Sequence, residues 1–478
     1  MTALHATTGD RADTTYGTGN GRAPDRHIAT TETTAEAEAV AFTRRLIRFD
    51  TRNACTDSPD RCNERPAAQW AADRLAEAGI APTIMESAPG RAIVTATLPG
   101  MDRSLPPLLI HGHLDTVPVD PAQWSVDPFG GEIRTDADGI PCVWGRGAVD
   151  MKDMVGMTLA ALRSLARNGT RPRRDVRLAL LPDEEAGGRY GSIWVAEHRP
   201  DIFAHVGYVV SETGGFSDQV NGRRVYYVQV GEKGTQWFRL EARGTQSHGS
   251  QINRDNAVVR IAEAACRIAA YRWPVDVNPV TRMLLDGLRS LTDSPAGSAQ
   301  AVDDEAVRTL VRHAGATEPW IASSLRNTFN VSSIDADSTV NVIPATASAL
   351  VDGRALPGQE EPLLRTLRSL AGDGVTVSAI HRSNGYLSDP SGALFRAAAN
   401  AIHEFDPQAR VLPFLSSGGT DSKAVLGVSP GAQALGFAPL RTPPAFRYIA
   451  RFHGVDERVP VESLRFGERV LERFIATL

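Results

Sequence analysis

The 478-residue chain reads as an α/β protein: a mixed, largely parallel sheet flanked by helices, with a smaller α+β unit inserted into it. Three observations predict this. The runs LLIHG (108–112), VRLALL (176–181) and VGYVV (206–210) are continuously apolar, as in strands buried on both faces. Helical patterns separate such runs, and strand–helix–strand alternation builds parallel sheets. Between 234 and 383 the order becomes β-α-β-β-α-β, the ferredoxin-like split βαβ pattern.

Taken in order, residues 1–34 are rich in threonine, glycine and aspartate and poor in aliphatics. Such a segment buries too little apolar area to offset its ordering entropy, so a disordered tail is expected. Thr33-Thr34-Ala35-Glu36 has the capping-box pattern and opens a helix through AVAFTRRLIRF. A second helix over about 65–78 stops at Gly79. The stretch DMKDMVGMTLAALRSLARNG places Met154, Val155, Leu159, Leu162 and Leu165 in a helix closed by Asn168-Gly169. The inserted unit comprises TQWFRLEAR, the helix NAVVRIAEAACRIAAYR, strands near 328–335 and 346–353, a helix near 360–371 and the strand VTVSAIH. An irregular insert of about 274–325 interrupts it. VLPFL (411–415), AQALGF (432–437) and a helix from about 460 return to the first style. The expected division is a 1–34 tail, 35–233 and 384–478 as one discontinuous domain, and 234–383 inserted between them.

Composition narrows the function classes. With 42% hydrophobic and 22% charged residues the chain is neither wholly disordered nor collagen-like. No apolar run is long enough to span a bilayer, and MTALHATTGDRADTTYG lacks the basic and apolar segments of a secretory signal. A net charge of −5 gives no reason to expect nucleic acid or an anionic membrane as partner. Only Lys152, Lys233 and Lys423 offer amines for Schiff-base chemistry. Of the four cysteines, Cys55 and Cys62 could close a local loop, but free thiols in a reducing, cytoplasmic setting are the expectation.

The polar residues that stand out follow the apolar strands. His113 and Asp115 come after LLIHG, Asp183-Glu184-Glu185 after VRLALLP, and Glu212 after VGYVVS. Ligands of open α/β sheets bind beyond the carboxyl ends of strands, so these side chains should converge. Asp150 precedes a helix in GRGAVDMKD, and His453 lies in FHGVDERVP. Two histidines with several carboxylates and no cysteine make an N/O donor set suited to Zn²⁺, with Co²⁺ or Mn²⁺ as alternatives. Asp115, two residues beyond His113, would orient that imidazole. HExxH and GxSxG are absent, which removes thermolysin-like and serine-hydrolase readings.

The fragments IHGHLDTVP (110–118), WGRGAVDMK (144–152), LLPDEEAGG (180–188) and HGVDERV (453–459) resemble those of the M20 metallopeptidases, in the same order. This family includes aminoacylases, carboxypeptidases, desuccinylases and dipeptidases. The resemblance implies a zinc-peptidase-like domain interrupted by a ferredoxin-like lid, with two Zn²⁺ per subunit. It implies His113 and Glu212 on one metal, Glu185 and His453 on the other, and Asp150 bridging them. It makes Glu184 the general base, and His248, in GTQSHGS, the lid histidine that stabilises an oxyanion. A glutamine–isoleucine pair, Gln251-Ile252, replaces the family's usual proline after that histidine. Asn341 and Arg354 resemble residues that grip substrate, and the SSGGTDSK loop would cradle its carboxylate on the amides of Gly418, Gly419 and Thr420. The implied reaction is hydrolysis of a small N-acyl-L-amino acid. A dipeptidase or carboxypeptidase, and more distantly an inactive binding scaffold, remain open as alternatives. A homodimer through the lid is open as well.

Overall fold

A ten-stranded mixed sheet positions most of the candidate residues. The computed structural model describes residues 34–53, 62–292, 304–336 and 339–478, so the expected tail up to 33 and Cys55 lie outside the described residues. Along the sheet the order is Pro82–Ala88, Arg91–Leu98, Val176–Leu181, Leu108–His113, Tyr208–Ser211, Gln433–Gly436, Arg223–Glu232 and Tyr386–Leu387. Phe216–Val220 and Arg410–Ser416 also pair with Arg223–Glu232. The parallel part is central: Val176–Leu181, Leu108–His113, Tyr208–Ser211 and Gln433–Gly436 all run the same way, and antiparallel pairs flank them.

The continuous apolar runs are explained by burial on both faces. Leu108 and Ile110 enter the larger core with helices Thr34–Ile47, Lys152–Arg167 and Val461–Thr477, while Leu109 faces a second cluster with Val195, Phe203 and Val425. The second helix spans Arg65–Glu77, and Gly79 just beyond it takes a positive φ of 78°. Thr34 already belongs to the first helix, and Glu36 in its first turn is buried against Arg469.

The 234–383 stretch contributes a four-stranded antiparallel sheet in the order Thr328–Ala336, Thr346–Ala355, Gly234–Arg243, Val375–Arg382. Phe238, Leu240 and Ala242 alternate onto the face covered by helices Ala257–Ala270 and Glu360–Ala371.

The 274–325 insert packs elsewhere. Its helices Pro279–Arg289, Asp304–Val311 and Glu318–Ser324 bury Leu284, Leu288, Leu310 and Ile321 in the core of the ten-stranded sheet, not in that of the four-stranded sheet. Trp320 stacks on Phe414 of Arg410–Ser416 and reaches Phe452, the neighbour of His453. Amphipathic helices follow the apolar surface available to them, and here that surface belongs to the flanking sequence.

Candidate metal centre

Three neighbouring parallel strands end at one edge of the sheet. His113 closes Leu108–His113, Glu212 follows Tyr208–Ser211, and Asp183-Glu184-Glu185 follows Val176–Leu181. Asp150 and His453 arrive from loops at the same edge. His113 Nε2 lies 3.1 Å from Asp150 Oδ1 and 3.3 Å from Glu212 Oε2. His453 Nε2 lies 3.1 Å from Asp150 Oδ2 and 3.2 Å from Glu185 Oε2. Asp150 therefore divides its two oxygens between the two imidazoles.

The electrostatics reflect this crowding. Burial opposes charge on His113, but Glu212, Asp115 and Asp150 override it and hold the imidazole well above the usual histidine range. Hydrogen bonds to Asp150 and Glu185 raise His453 to about 10. Burial pushes Glu212 up to about 8, and burial together with the Glu212 charge pushes Glu184 well above the carboxylate range. Asp150 moves the other way, because His113 and His453 outweigh its desolvation. So many buried carboxylates around two nitrogens demand positive charge between them.

The residues fit a pair of divalent ions. A tetrahedral ion with ligand bonds of about 2.0–2.2 Å sets its ligand atoms roughly 3.3–3.6 Å apart, close to the 3.1–3.3 Å separations found here. One triad would be His113, Asp150 and Glu212, the other His453, Asp150 and Glu185.

The acidic pair sits on a 3₁₀ turn, Glu184–Ala186, and not on extended chain. Asp183 turns the backbone at a φ of 73°. Successive residues of a 3₁₀ turn point about 120° apart, so Glu185 meets His453 while Glu184 comes within 4.8 Å of ligand atoms of His113 and Glu212. Asp115 does more than orient His113. The His113 Nδ1 lies 3.0 Å from the Asp115 carbonyl oxygen and 3.4 Å from its carboxylate. That carboxylate accepts the backbone N–H groups of both Glu184 and Glu185 at 3.1 Å.

The substrate-facing expectations fare unevenly. His248 and Asn341 are neighbours on a short ribbon, with the Gly249 N–H donating to the Asn341 carbonyl at 2.8 Å. Both are exposed, and among the described residues neither bonds to the five ligands. Arg354 donates two bonds to Asp352, at 2.8 and 3.0 Å, and a third to Thr235 at 3.1 Å. The three-amide cradle is reduced to one. Gly418 donates its N–H to Ser416 Oγ at 3.1 Å and Thr420 donates its N–H to Glu232 at 3.0 Å, which leaves Gly419. Thr420 is taken by the buried Glu232 carboxylate, brought under the loop by a distant strand, and Gly418 by the loop's own Ser416.

Other residues complete the site. The fully buried Glu457 accepts the N–H groups of Gly147 and Val149 at 2.9 and 2.7 Å and the Arg146 guanidinium at 2.7 Å, and Arg146 also reaches the His453 carbonyl. It thereby fastens the Asp150 loop to the His453 loop. Both residues lie inside the WGRGAVDMK and HGVDERV fragments, so position could have flagged them. Arg91 donates to Asp183 at 2.6 Å, and Asn53 donates to both Asp115 and Asp183 at 2.9 Å. Nothing local in the sequence marks Arg91 or Asn53.

Comparison with known proteins agrees with this geometry. Residues 109–477 match the model of peptidase family M20/M25/M40. Mouse aminoacylase-1 is 27% identical over 428 residues, covering 87% of this chain and 90% of the relative. The human N-fatty-acyl-amino acid synthase/hydrolase PM20D1 is 27% identical over 377 residues, covering 77% of this chain and 73% of the relative. The fold is similar to the M20 family metallo-carboxypeptidase Sso-CP2 from Sulfolobus solfataricus, with a TM-score of 0.68, 16% identity, and coverage of 92% of this chain and 98% of that one. It is also similar to human carnosine dipeptidase 1, with a TM-score of 0.61, 17% identity, and coverage of 92% and 96%. A donor set that suits divalent metal, on this sheet edge and in this chain order, places the protein among metal-dependent hydrolases of amide bonds: it belongs to peptidase family M20/M25/M40.

Proposed function

We propose that the protein is a dizinc amidohydrolase that cleaves the amide bond of an N-acyl-L-amino acid. The carrying observation is the Asp150 carboxylate shared between His113 and His453, at 3.1 Å from each. Zinc suits the N/O donors, with Co²⁺ or Mn²⁺ as substitutes. The ions, when bound, supply Lewis acidity to the carbonyl and lower the pKa of a water.

The chain's own residues do the rest. Glu184 takes the proton of the attacking water and hands it to the leaving nitrogen, and burial with the Glu212 charge raises its pKa above that of an ordinary carboxylate. Asp115 holds the turn that aims it. His248 accepts the Ser250 N–H on Nδ1, which assigns its proton to Nε2, a donor suited to the developing oxyanion. Since His248 stands exposed, it reaches the site by movement of the 234–383 stretch, acting as a lid, or from a second copy in a homodimer. In this reading 35–233 and 384–478 form the metal-binding domain.

Similarity to aminoacylase-1 and to PM20D1 over most of the chain supports an N-acyl amino acid as substrate. No helix among the described residues is long and apolar enough to cross a membrane, and unpaired Cys142 and Cys266 support a cytoplasmic setting. The test is hydrolysis of a panel of N-acyl-L-amino acids and dipeptides by the zinc-loaded protein. Preference for N-acyl amino acids supports the reading. Preference for dipeptides replaces it with a dipeptidase, and no turnover of either leaves a binding scaffold.

A further inference from the structure

The metal ligands occupy one end of the parallel strands, and a second polar hollow lies at the other end. Arg173 and Arg174 come just before Val176–Leu181, and Tyr208 opens Tyr208–Ser211. Together with the helices Ala393–Phe405 and Val461–Thr477 they enclose a pocket of about 420 Å³. Glu212 lies at the far end of the Tyr208 strand, about 13 Å along extended chain. The pocket is therefore separate from the metal centre.

It concentrates positive charge in a chain whose net charge is −5. Arg173, Arg174, Arg396 and Arg473 line it, and Glu404 is the one acidic side chain among its lining residues. Even with the Leu478 end counted as a carboxylate, four guanidiniums meet two negative groups. Glu404 is already engaged, paired with Arg473 at 2.6 Å. Arg173 and Arg396 are exposed, and neither bonds to a carboxylate among the described residues.

Arg174 is the built part of the site. It is only 8% exposed, and a buried charge is costly without a counter-ion. Its Nη1 donates to the Pro106 carbonyl at 2.8 Å and its Nε to the Leu478 oxygen at 3.3 Å. The guanidinium lies over the Tyr208 ring, 4.5 Å from the centroid. These contacts fix the plane of the fork. Nη2 has no partner among the described residues, yet it is not sealed from solvent, so it opens onto the pocket that Arg174 lines. Burial and the neighbouring Arg173 charge hold the Arg174 pKa below the ordinary arginine range, as befits a cation short of negative partners.

We propose that this pocket binds a small organic dianion, a phosphate ester or a dicarboxylate, on the guanidiniums of Arg174 and Arg396. Guanidinium forks match the paired oxygens of either group. Two negative charges balance the excess of two. The site does not depend on which amide the metal centre cleaves.

Calorimetric titration of the zinc-loaded protein with glucose 6-phosphate, succinate and acetate tests this. At least one dianion should bind with a Kd below about 1 mM, and acetate at least about tenfold more weakly. The tighter dianion identifies the ligand class. Arg396→Met, an exposed change, should weaken that binding about 10-fold, and Arg174→Met about 10- to 100-fold. Glu185→Gln, at the metal centre, should leave the affinity within about twofold. Absence of saturable binding of either dianion up to about 10 mM overturns the proposal. So does an affinity that acetate equals or that Arg396→Met leaves unchanged. Binding that Glu185→Gln abolishes also overturns it, by placing the anion on the metals.

Discussion

The Asp115 carboxylate accepts the backbone N–H of Glu184 at 3.1 Å, so the residue behind the metal histidine also fixes the turn bearing the proposed base. Its second oxygen does the same for Glu185. Replacing Asp115 by alanine should disturb both triads at once. We expect a loss of about 10- to 100-fold in metal affinity, the usual range for residues that orient metal ligands. Titration against a competing chelator checks this, and unchanged affinity would show that the turn holds itself.

Glu457 offers a test of the link between loops. Glu457→Ala leaves the buried Arg146 guanidinium without its carboxylate and frees two amides. Breaking one partner of a buried pair costs about 3–5 kcal/mol. Urea unfolding of the metal-free protein should register this, whereas a loss under 1 kcal/mol would mean the loops are held by other contacts.

Lys233 predicts a pH dependence of stability. Its buried ammonium donates to the Ser323 and Arg326 carbonyls and to Thr328, and no carboxylate among the described residues bonds to it. Burial pulls it down from 10.5 to about 7. Between these values the unfolded chain binds the proton more strongly, so this residue makes stability rise with pH. The gain is complete above 10.5 and is lost as pH falls through about 7. Relative to Lys233→Met, the wild type should gain up to about 1.4 kcal/mol per pH unit between pH 7 and 10. Parallel stability curves would contradict the assignment.

The 274–325 insert should matter for folding and not for chemistry. Leu288 is fully buried in the core of the ten-stranded sheet. Leu288→Ala should destabilise by about 2–5 kcal/mol while kcat per folded molecule stays within twofold. A selective loss of kcat would instead assign the insert a part in the site.

Much of the fold was legible because its signals are local. Leu108–His113 and Val176–Leu181 are continuous apolar runs, and the helix Lys152–Arg167 ends where Asn168-Gly169 indicates. The convergence of His113, Asp150, Glu185, Glu212 and His453 was legible from strand ends and fragment order. Long-range contacts hid the rest. The 3₁₀ turn at Glu184 depends on amide acceptors from Asp115, a residue on another strand connection. The glycine loop loses the Thr420 amide because Glu232, buried beneath it, claims it. Neither carboxylate has a sequence signature for that task. The insert's helices are amphipathic, but periodicity cannot say which sheet their apolar faces meet.

The most direct test of the central claim is a zinc titration of metal-stripped wild type and Glu184→Gln, following bound metal and turnover together. Both proteins should bind two ions per chain, with wild-type activity completing only at the second. In Glu184→Gln, kcat should fall about 10²- to 10⁴-fold. Full activity at one ion, or undiminished turnover in Glu184→Gln with both ions bound, would contradict a two-metal site with Glu184 as base.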